Sequence, residues 1–345
     1  MERSKAYFIN GGAGRVIASI PAFEKLAEET DDFIIVCEGG MDFYKGHPIL
    51  HSKAYDNWHK GLFAEHIINR DVISPEPYRI WEYYNQKCSL SQAFDIAISN
   101  QGIRDLPPPK IILNKYEVTE AYKVVKEVKE TTGFDKLLVI QPFGRGVVNN
   151  EEFVIDSSSR SMHLNNVVDI INNLKKDYAI IVMSEFPITL DKNDVNKYPV
   201  AMPQIPDLRI WAGIIDMCDH FIGCDSVGQH IARSFNKDAT IILGSTFPIN
   251  ISYPNFEKFN IIDLGKDKRI YSPIRISLED HIERLNDELM EMDAILLDKV
   301  VSDIRKKLGK SITHKNKVLP MPVQPAIEEQ KKFSINNGSL TPPKK

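Results

Sequence analysis

DLRIWAGIIDMCDHFIGCDSVGQHIARSFNKDATIILGSTFPINISYP, running from Asp207 to Pro254, is the stretch on which the reading of the fold turns. Leu208, Trp211, Ile214 and Ile215 recur at helical spacing, which predicts a helix from Leu208 to Met217. His220 to Cys224 is a short apolar run that reads as a buried strand. Asp225-Ser226-Val227-Gly228 is a tight polar turn, Gln229 to Phe235 starts a new helix, and Thr240 to Leu243 is the next apolar strand. Gly244-Ser245-Thr246 follows as a loop. A strand, a glycine-containing turn and a helix in this order aim free backbone N–H groups and a positive helix end at an anion. Asp225 and Ser226 are also good N-cap residues, so an ordinary capped βαβ unit fits the same spacing.

Around this stretch, the length of 345 residues favours two domains with a sizeable core. The composition, 43% hydrophobic and 26% charged, is that of a globular chain. A formal charge of −4 argues against a broad nucleic-acid-binding face. The cysteines, Cys37, Cys88, Cys218 and Cys224, form no C-x-x-C pair and read as reduced structural residues of a cytoplasmic protein. The first apolar run, Ala6 to Ile9, is too short for a signal peptide. No run approaches the roughly 18 apolar residues of a membrane span, so no integral membrane segment is expected.

Upstream, Ala6 to Ile9 is a strand, Asn10 to Gly14 a glycine-rich turn and Arg15 to Glu29 a helix with Val16, Ile20, Phe23 and Leu26 on one face. Phe33 to Val36 and Phe94 to Ile98 are expected strands, followed by the loops Cys37 to Asp42 and Ser99 to Arg104. His47, His51, His59 and His66 lie close together, but lack a cysteine partner or an H-E-x-x-H spacing, and no metal site is expected. Val118 to Thr132 is an amphipathic helix closed by Gly133. Lys136 to Ile140 is a strand that opens onto the loop Gln141 to Gly146, and Ala179 to Val182 is a strand that opens onto Met183 to Pro187. Leu278 to Met290 and Asp293 to Leu308 read as helices. Lys310 to Lys345, with seven lysines against two glutamates, reads as a disordered basic tail.

The order of residues in the opening stretch resembles the donor-site segment of the heptosyltransferase-like glycosyltransferases, family 9 of the GT-B fold. Asp225, Ser226, His230, Ala232, Gly244, Thr246 and Pro248 fall in the family's pattern, with the glycine one position late at Gly228. Gly14, Val16, Ile17 and Pro21 match the family's opening, and Asp95, Ile98, Gln101, Gly102 and Arg104 match a third segment. The resemblance covers residues from about 6 to 265 and implies an α/β architecture of two Rossmann-like domains facing across a cleft. Residues 1–132 would be the acceptor-side domain and 133–270 the nucleotide-sugar domain. Residues 271–309 would be helices packing back on domain one, and 310–345 the tail.

What the resemblance implies for function is an inverting transfer of a sugar from a nucleoside diphosphate sugar to a glycan or lipid-linked, lipopolysaccharide-type acceptor, without metal or other cofactor. Arg160 would pair with a donor phosphate, with Arg145 and Gly144 beside it, and the turn Asp225, Ser226, Val227, Gly228, Gln229 and His230 would hold the diphosphate. Glu185, at a strand end, is a candidate for ribose hydroxyls. Gly14, Arg15, Gln101 and Arg104 would line the acceptor side of the cleft. Arg15 stands where the family carries its aspartate base, and a guanidinium cannot take a proton at neutral pH. Asp42 and Glu38 are the candidate relocated bases. Alternatives are a viral-type transferase acting on a DNA base, a catalytically inactive sugar-nucleotide-binding protein and an epimerase. The expected location is the cytoplasm, with peripheral attachment to the inner membrane surface as a further option.

Overall fold

The computed structural model describes residues 3–149, 154–156, 158–190, 197–270 and 289–313. The expected helix at Leu278 to Met290 falls largely outside them, as does almost all of the expected tail.

Domain one starts with β1 (Lys5–Ile9), α1 (Ala13–Glu29) and β2 (Phe33–Cys37), as read from the sequence. Beyond β2 the chain is irregular, with single helical turns between the three-residue strands β3 (Ala54–Asp56) and β4 (Asp71–Ile73). The four strands are parallel in the order β3-β2-β1-β4, with Ala6 opposite both Ile34 and Val72. This is the Rossmann order 3-2-1-4, in which the connections diverge between β1 and β4 and leave a crevice at their carboxyl ends.

A short helix α2 (Trp81–Tyr84) precedes α3 (Leu90–Ser99). The latter corrects the strand expected at Phe94 to Ile98. Ser89 and Gln92 close a capping box, and Leu90, Ala93, Phe94 and Ile98 then fall on one buried helical face against α1. Four apolar residues among the five from Phe94 to Ile98 read as a strand only when this upstream cap is ignored.

A second capping box, Asn114 with Glu117, starts α4 (Lys115–Thr132), and Gly133 in the left-handed region (φ 73°) ends it. Helix α4 packs on the helix at Leu208–Met217 and on the strand at Ala179–Val182 of the second sheet. Domain two continues with β5 (Leu137–Gln141), the hairpin β6 (Val147–Asn149) and β7 (Val154–Asp156), α5 (Leu164–Leu174) and β8 (Ala179–Val182). It then runs through α6 (Leu208–Met217), β9 (His220–Gly223), α7 (Val227–Ser234) and β10 (Ala239–Leu243), and through α8 (Pro248–Ile251), β11 (Phe259–Asp263) and α9 (Ala294–Leu308). Its parallel sheet has the order β11-β10-β9-β5-β8. Counted within the domain this is 2-1-3-4-5, whose switch point lies between β5 and β9.

Three features join the domains. Tyr7, Phe23 and Phe94 of domain one share one continuous buried cluster with Trp211, Phe221 and Ile231 of domain two. Behind the cleft, Arg209 donates Nε and Nη2 to the Glu117 carboxylate (2.6 and 2.9 Å) and Nη1 to the Asp42 carbonyl (2.8 Å). On the other flank Asn250 donates to the carbonyls of Tyr83 and Cys88 (2.8 and 2.9 Å). Helix α9 does not return to domain one as expected. Leu297, Val300, Val301 and Ile304 pack with Val167, Ile170 and Ile171 of α5, and Arg305 pairs with Asp177 (2.9 Å). All four cysteines are buried and unbridged.

Candidate functional site

The two switch points face each other. α1 and α7 meet by their first turns, and a Cβ on Gly14 would lie 3.5 Å from His230 and 3.8 Å from the Val227 Cα. Arg145, on the loop after β5, reaches across the same gap, its Nη1 lying 3.7 Å from where a Gly12 Cβ would stand. Two helix N-termini and an arginine thus converge at one point, which concentrates positive potential there.

On the domain-two side the expected cap is replaced by another device. Ser226 is the N-cap of α7, but its side chain accepts no helix N–H. Instead Gln141, at the end of β5, accepts the Gly228 N–H (2.8 Å) and donates to the Ser226 hydroxyl (3.0 Å). The Ser226 N–H is turned onto the Cys224 carbonyl (2.8 Å). Of the amides expected to hold an anion, those of Ser226 and Gly228 are therefore engaged, and Val227 and Gln229 are the ones the first turn can offer. Buried Asp225 accepts the Thr246 hydroxyl (3.0 Å), which ties the loop after β10 to the turn.

Arg160 stands over this turn. Burial opposes its charge, but the surrounding carboxylates of Asp225 and Asp156, with Tyr78, outweigh it and hold its pKa above the ordinary arginine value. Its Nε donates to the Ser158 hydroxyl (3.0 Å), and the loop of Gly144 is held by Ser161 (2.9 Å). Glu185 is exposed on the loop after β8, where Phe186 stacks on Phe143 at 5.0 Å. His230 is buried with Nδ1 on the Tyr253 hydroxyl (2.8 Å), and burial pushes its pKa down to about 4, so the ring is neutral at pH 7.

On the domain-one side Arg15 is buried between the rings of Tyr78 (5.0 Å) and Phe94 (5.4 Å), and its Nη1 pairs with Glu76 at 3.2 Å. Glu76 and Tyr78 follow β4, so they stand at the β1/β4 switch point beside the first turn of α1. Glu38, exposed after β2, accepts the Gly11 N–H (2.6 Å) and so braces the glycine turn. Asp42 is turned away, its exposed carboxylate on Lys45 and its carbonyl on Arg209. Arg104 is gripped by the buried Asp95 (2.7 and 2.6 Å) and by Glu29, with Gln101 Oε1 at 3.1 Å. Glu29 ends α1, about 22 Å along the helix from Gly14 at 1.5 Å per residue. Gln101 and Arg104 are thus at the far end of domain one, which corrects their expected place in the cleft. The reason is the same helix α3 that replaced the expected strand.

The four histidines do not gather. His47 is buried on Glu24 (2.9 Å), His51 accepts the Gly46 N–H (3.3 Å), and His59 and His66 pack with Tyr55. Among the described residues no three His, Cys, Asp or Glu side chains come together where they could hold a metal ion. Four site residues escape a reading of the sequence: Gln141, Glu76, Tyr78 and Asp156. Gln141 carried a signal, as the polar end of an otherwise apolar strand; Glu76 carried none, because β4 is only three residues long.

No protein-family model matches the sequence, and no curated protein does. Solved structures do. A glycosyl transferase of family 9 from Veillonella parvula superposes with a TM-score of 0.60 at 12% identity, over 89% of this chain and 98% of that one. The ADP-heptose lps heptosyltransferase II of E. coli gives 0.59 at 10% identity, over 88% and 98%. The E. coli heptosyltransferase WaaC with ADP gives 0.50 at 10% identity, over 88% and 99%. With both sheet orders and both switch points in place, the chain has the two-domain GT-B architecture of the family 9 glycosyltransferase structures.

Proposed function

We propose that this protein is a glycosyltransferase that moves a sugar from a nucleoside diphosphate sugar to a glycan or lipopolysaccharide-type acceptor. The observation that carries the reading is the meeting of the α1 and α7 N-termini under Arg145 and Arg160. A leaving diphosphate needs such a set of fixed positive charges and amide donors. The likeness to structures named for ADP-heptose and for lps heptosyltransferase supports the same reading and points to an ADP-activated heptose as the first donor to try.

The reaction would proceed with inversion. The acceptor oxygen bonds to the anomeric carbon from the face opposite the diphosphate. The bond from that carbon to the diphosphate oxygen breaks, and its electron pair stays on the diphosphate. The acceptor proton passes to a carboxylate. Glu76 is the carboxylate we assign to this step, in place of Asp42 and ahead of Glu38. It lies at the switch point, it is part-buried, and Arg15 holds it beside the first turn of α1. Arg15 then orients the base and does not act as one. No step is routed through a metal ion, so a chelator should leave turnover unchanged.

The test is to incubate the full chain with ADP-, GDP- and UDP-sugars, ADP-heptose first, and with lipopolysaccharide bearing a truncated core. Release of nucleoside diphosphate is followed together with the anomeric configuration of the product. Acceptor-dependent release with inversion supports the reading. Binding without release supports the inactive sugar-nucleotide-binding alternative, and a donor sugar altered without an acceptor supports an epimerase.

A further inference from the structure

Asp156 has no part in the transfer just described, and a carboxylate close to a diphosphate site would repel its ligand unless its charge were consumed locally. The geometry shows it consumed. Oδ1 accepts the Ser158 N–H (2.9 Å) and the Ser158 hydroxyl, and Oδ2 accepts the Ser161 N–H (3.0 Å) and the Ser161 hydroxyl (2.6 Å). Burial raises its pKa, but the donors from Ser158 and Ser161 outweigh burial and keep the group below the usual carboxylate range.

Those bonds fix the direction of two hydroxyl protons. A serine hydroxyl that donates to Asp156 must present lone pairs to its other neighbours. Ser158 Oγ accordingly accepts Arg160 Nε–H (3.0 Å), and Ser161 Oγ accepts the Gly144 N–H (2.9 Å). The same loop is tied to the one after β10, where the Ser245 hydroxyl donates to the Ser158 carbonyl (2.6 Å). One carboxylate therefore sets the orientation of the part-buried arginine and of the loop that carries Gly144 and Arg145.

We infer that Asp156 is the positioning residue of the diphosphate site, acting through Ser158 on Arg160 and through Ser161 on Gly144. The inference rests on the reading of this crevice as a nucleoside diphosphate site. Asparagine cannot take its place, since it offers one acceptor oxygen and a competing amide donor where four donors converge. The effect is specific to phosphate charge. Arg160 and the loop amides grip the diphosphate, whereas a nucleoside monophosphate reaches fewer of them.

Calorimetric titration of the full chain with ADP, GDP and UDP, and with AMP, GMP and UMP, tests this. Asp156→Asn should weaken binding of the preferred diphosphate by about tenfold or more and of its monophosphate by less than about twofold. In the double variant Asp156→Asn with Arg160→Ala, the loss should be smaller than the sum of the two single losses, since the two residues share the Ser158–Arg160 contact and only the link through Ser161 to Gly144 is left to lose. Ser158→Ala, which removes only the link to Arg160, should show a smaller loss with the same preference for the diphosphate and serves if Asp156→Asn does not fold. Equal losses for mono- and diphosphate, additive losses in the double variant, or unchanged diphosphate binding would overturn the inference. If the wild type binds none of the six nucleotides, the site reading falls and the inference with it. If the wild type binds and the variants match it, only the role of Asp156 falls.

Discussion

The donor-side and acceptor-side edges of the cleft are built by different means. In domain two, the five strands of the sheet, each four or five residues long, alternate with helices, and the site residues lie on the loops and helix starts that follow strands. In domain one only β1 and β2 are of that length, and the chain between Gly40 and Tyr84 passes through single helical turns and two three-residue strands. The acceptor edge, with so little regular structure, depends on side-chain bonds such as Arg15 with Glu76 and Glu38 with the Gly11 N–H. A ladder of backbone bonds fixes a turn rigidly, while a side-chain pair fixes a charge. The backbone of the donor turn should therefore respond to changes of volume, and the acceptor edge to changes of charge.

The largest effect should come from the acceptor edge. Glu76→Gln keeps the shape and removes the base, so kcat should fall by about 10² to 10⁴ with donor affinity unchanged. Glu38→Gln and Asp42→Asn should stay within about threefold of the wild type, because the former braces a turn and the latter faces solvent. A Glu76→Gln variant that loses donor binding and keeps kcat would reverse the assignment of the two edges.

The next effect tests the seam between them. Glu117→Leu leaves the buried Arg209 without its carboxylate, and should lower stability by about 3 to 5 kcal/mol in equilibrium urea unfolding. Asn250→Ala removes two hydrogen bonds from the other flank and should cost less, about 1 to 3 kcal/mol.

Acid should loosen the same seam. His230 has its pKa depressed by burial to about 4 from an ordinary 6.5, so the unfolded chain binds the extra proton between those values. Its contribution is fully present above pH 6.5 and is lost as the pH falls toward 4, by up to about 3 kcal/mol. Urea unfolding at pH 7 and pH 4.5 reads this, and His230→Gln should reduce the difference, the rest coming in part from His220, whose pKa burial pushes down to about 3. A wild type equally stable at both values would contradict the burial of a neutral ring at the seam.

The volume test is smaller. A Cβ on Gly228 would meet Gln141 Oε1 at 2.3 Å and the Phe221 ring at 2.5 Å, against a rigid strand end. Gly228→Ala should cost about 1 to 3 kcal/mol and weaken nucleotide binding, whereas Gly14→Ala, with its nearest neighbour at 3.5 Å, should stay within about 0.5 kcal/mol.

How far each edge could be read from the sequence follows the same division. The run from Leu208 to Leu243 yields α6, β9, α7 and β10 nearly to the residue, because each strand is a buried apolar run bounded by polar turns. Phe94 to Ile98 misleads, because four apolar residues satisfy either period and the Ser89–Gln92 box that decides for a helix lies upstream. Gln101 and Arg104, placed in the cleft by the resemblance, follow this helix and lie beside Glu29 at the far end of α1. Glu76 and Arg15 are 61 positions apart, and no local pattern joins them. The hold of Gln141 on Ser226 is of the same kind, across 85 positions. Such pairs belong to the packing of sheet edges, which periodicity does not encode.

The most direct test of the central claim is calorimetric titration of wild type and Arg160→Ala with nucleoside diphosphates and the corresponding monophosphates. The account predicts one saturable site per chain in the wild type, a diphosphate preferred over its monophosphate by about tenfold, and that preference abolished in Arg160→Ala. No saturable binding, or binding indifferent to the second phosphate and to Arg160, would contradict a diphosphate site at the meeting of α1 and α7.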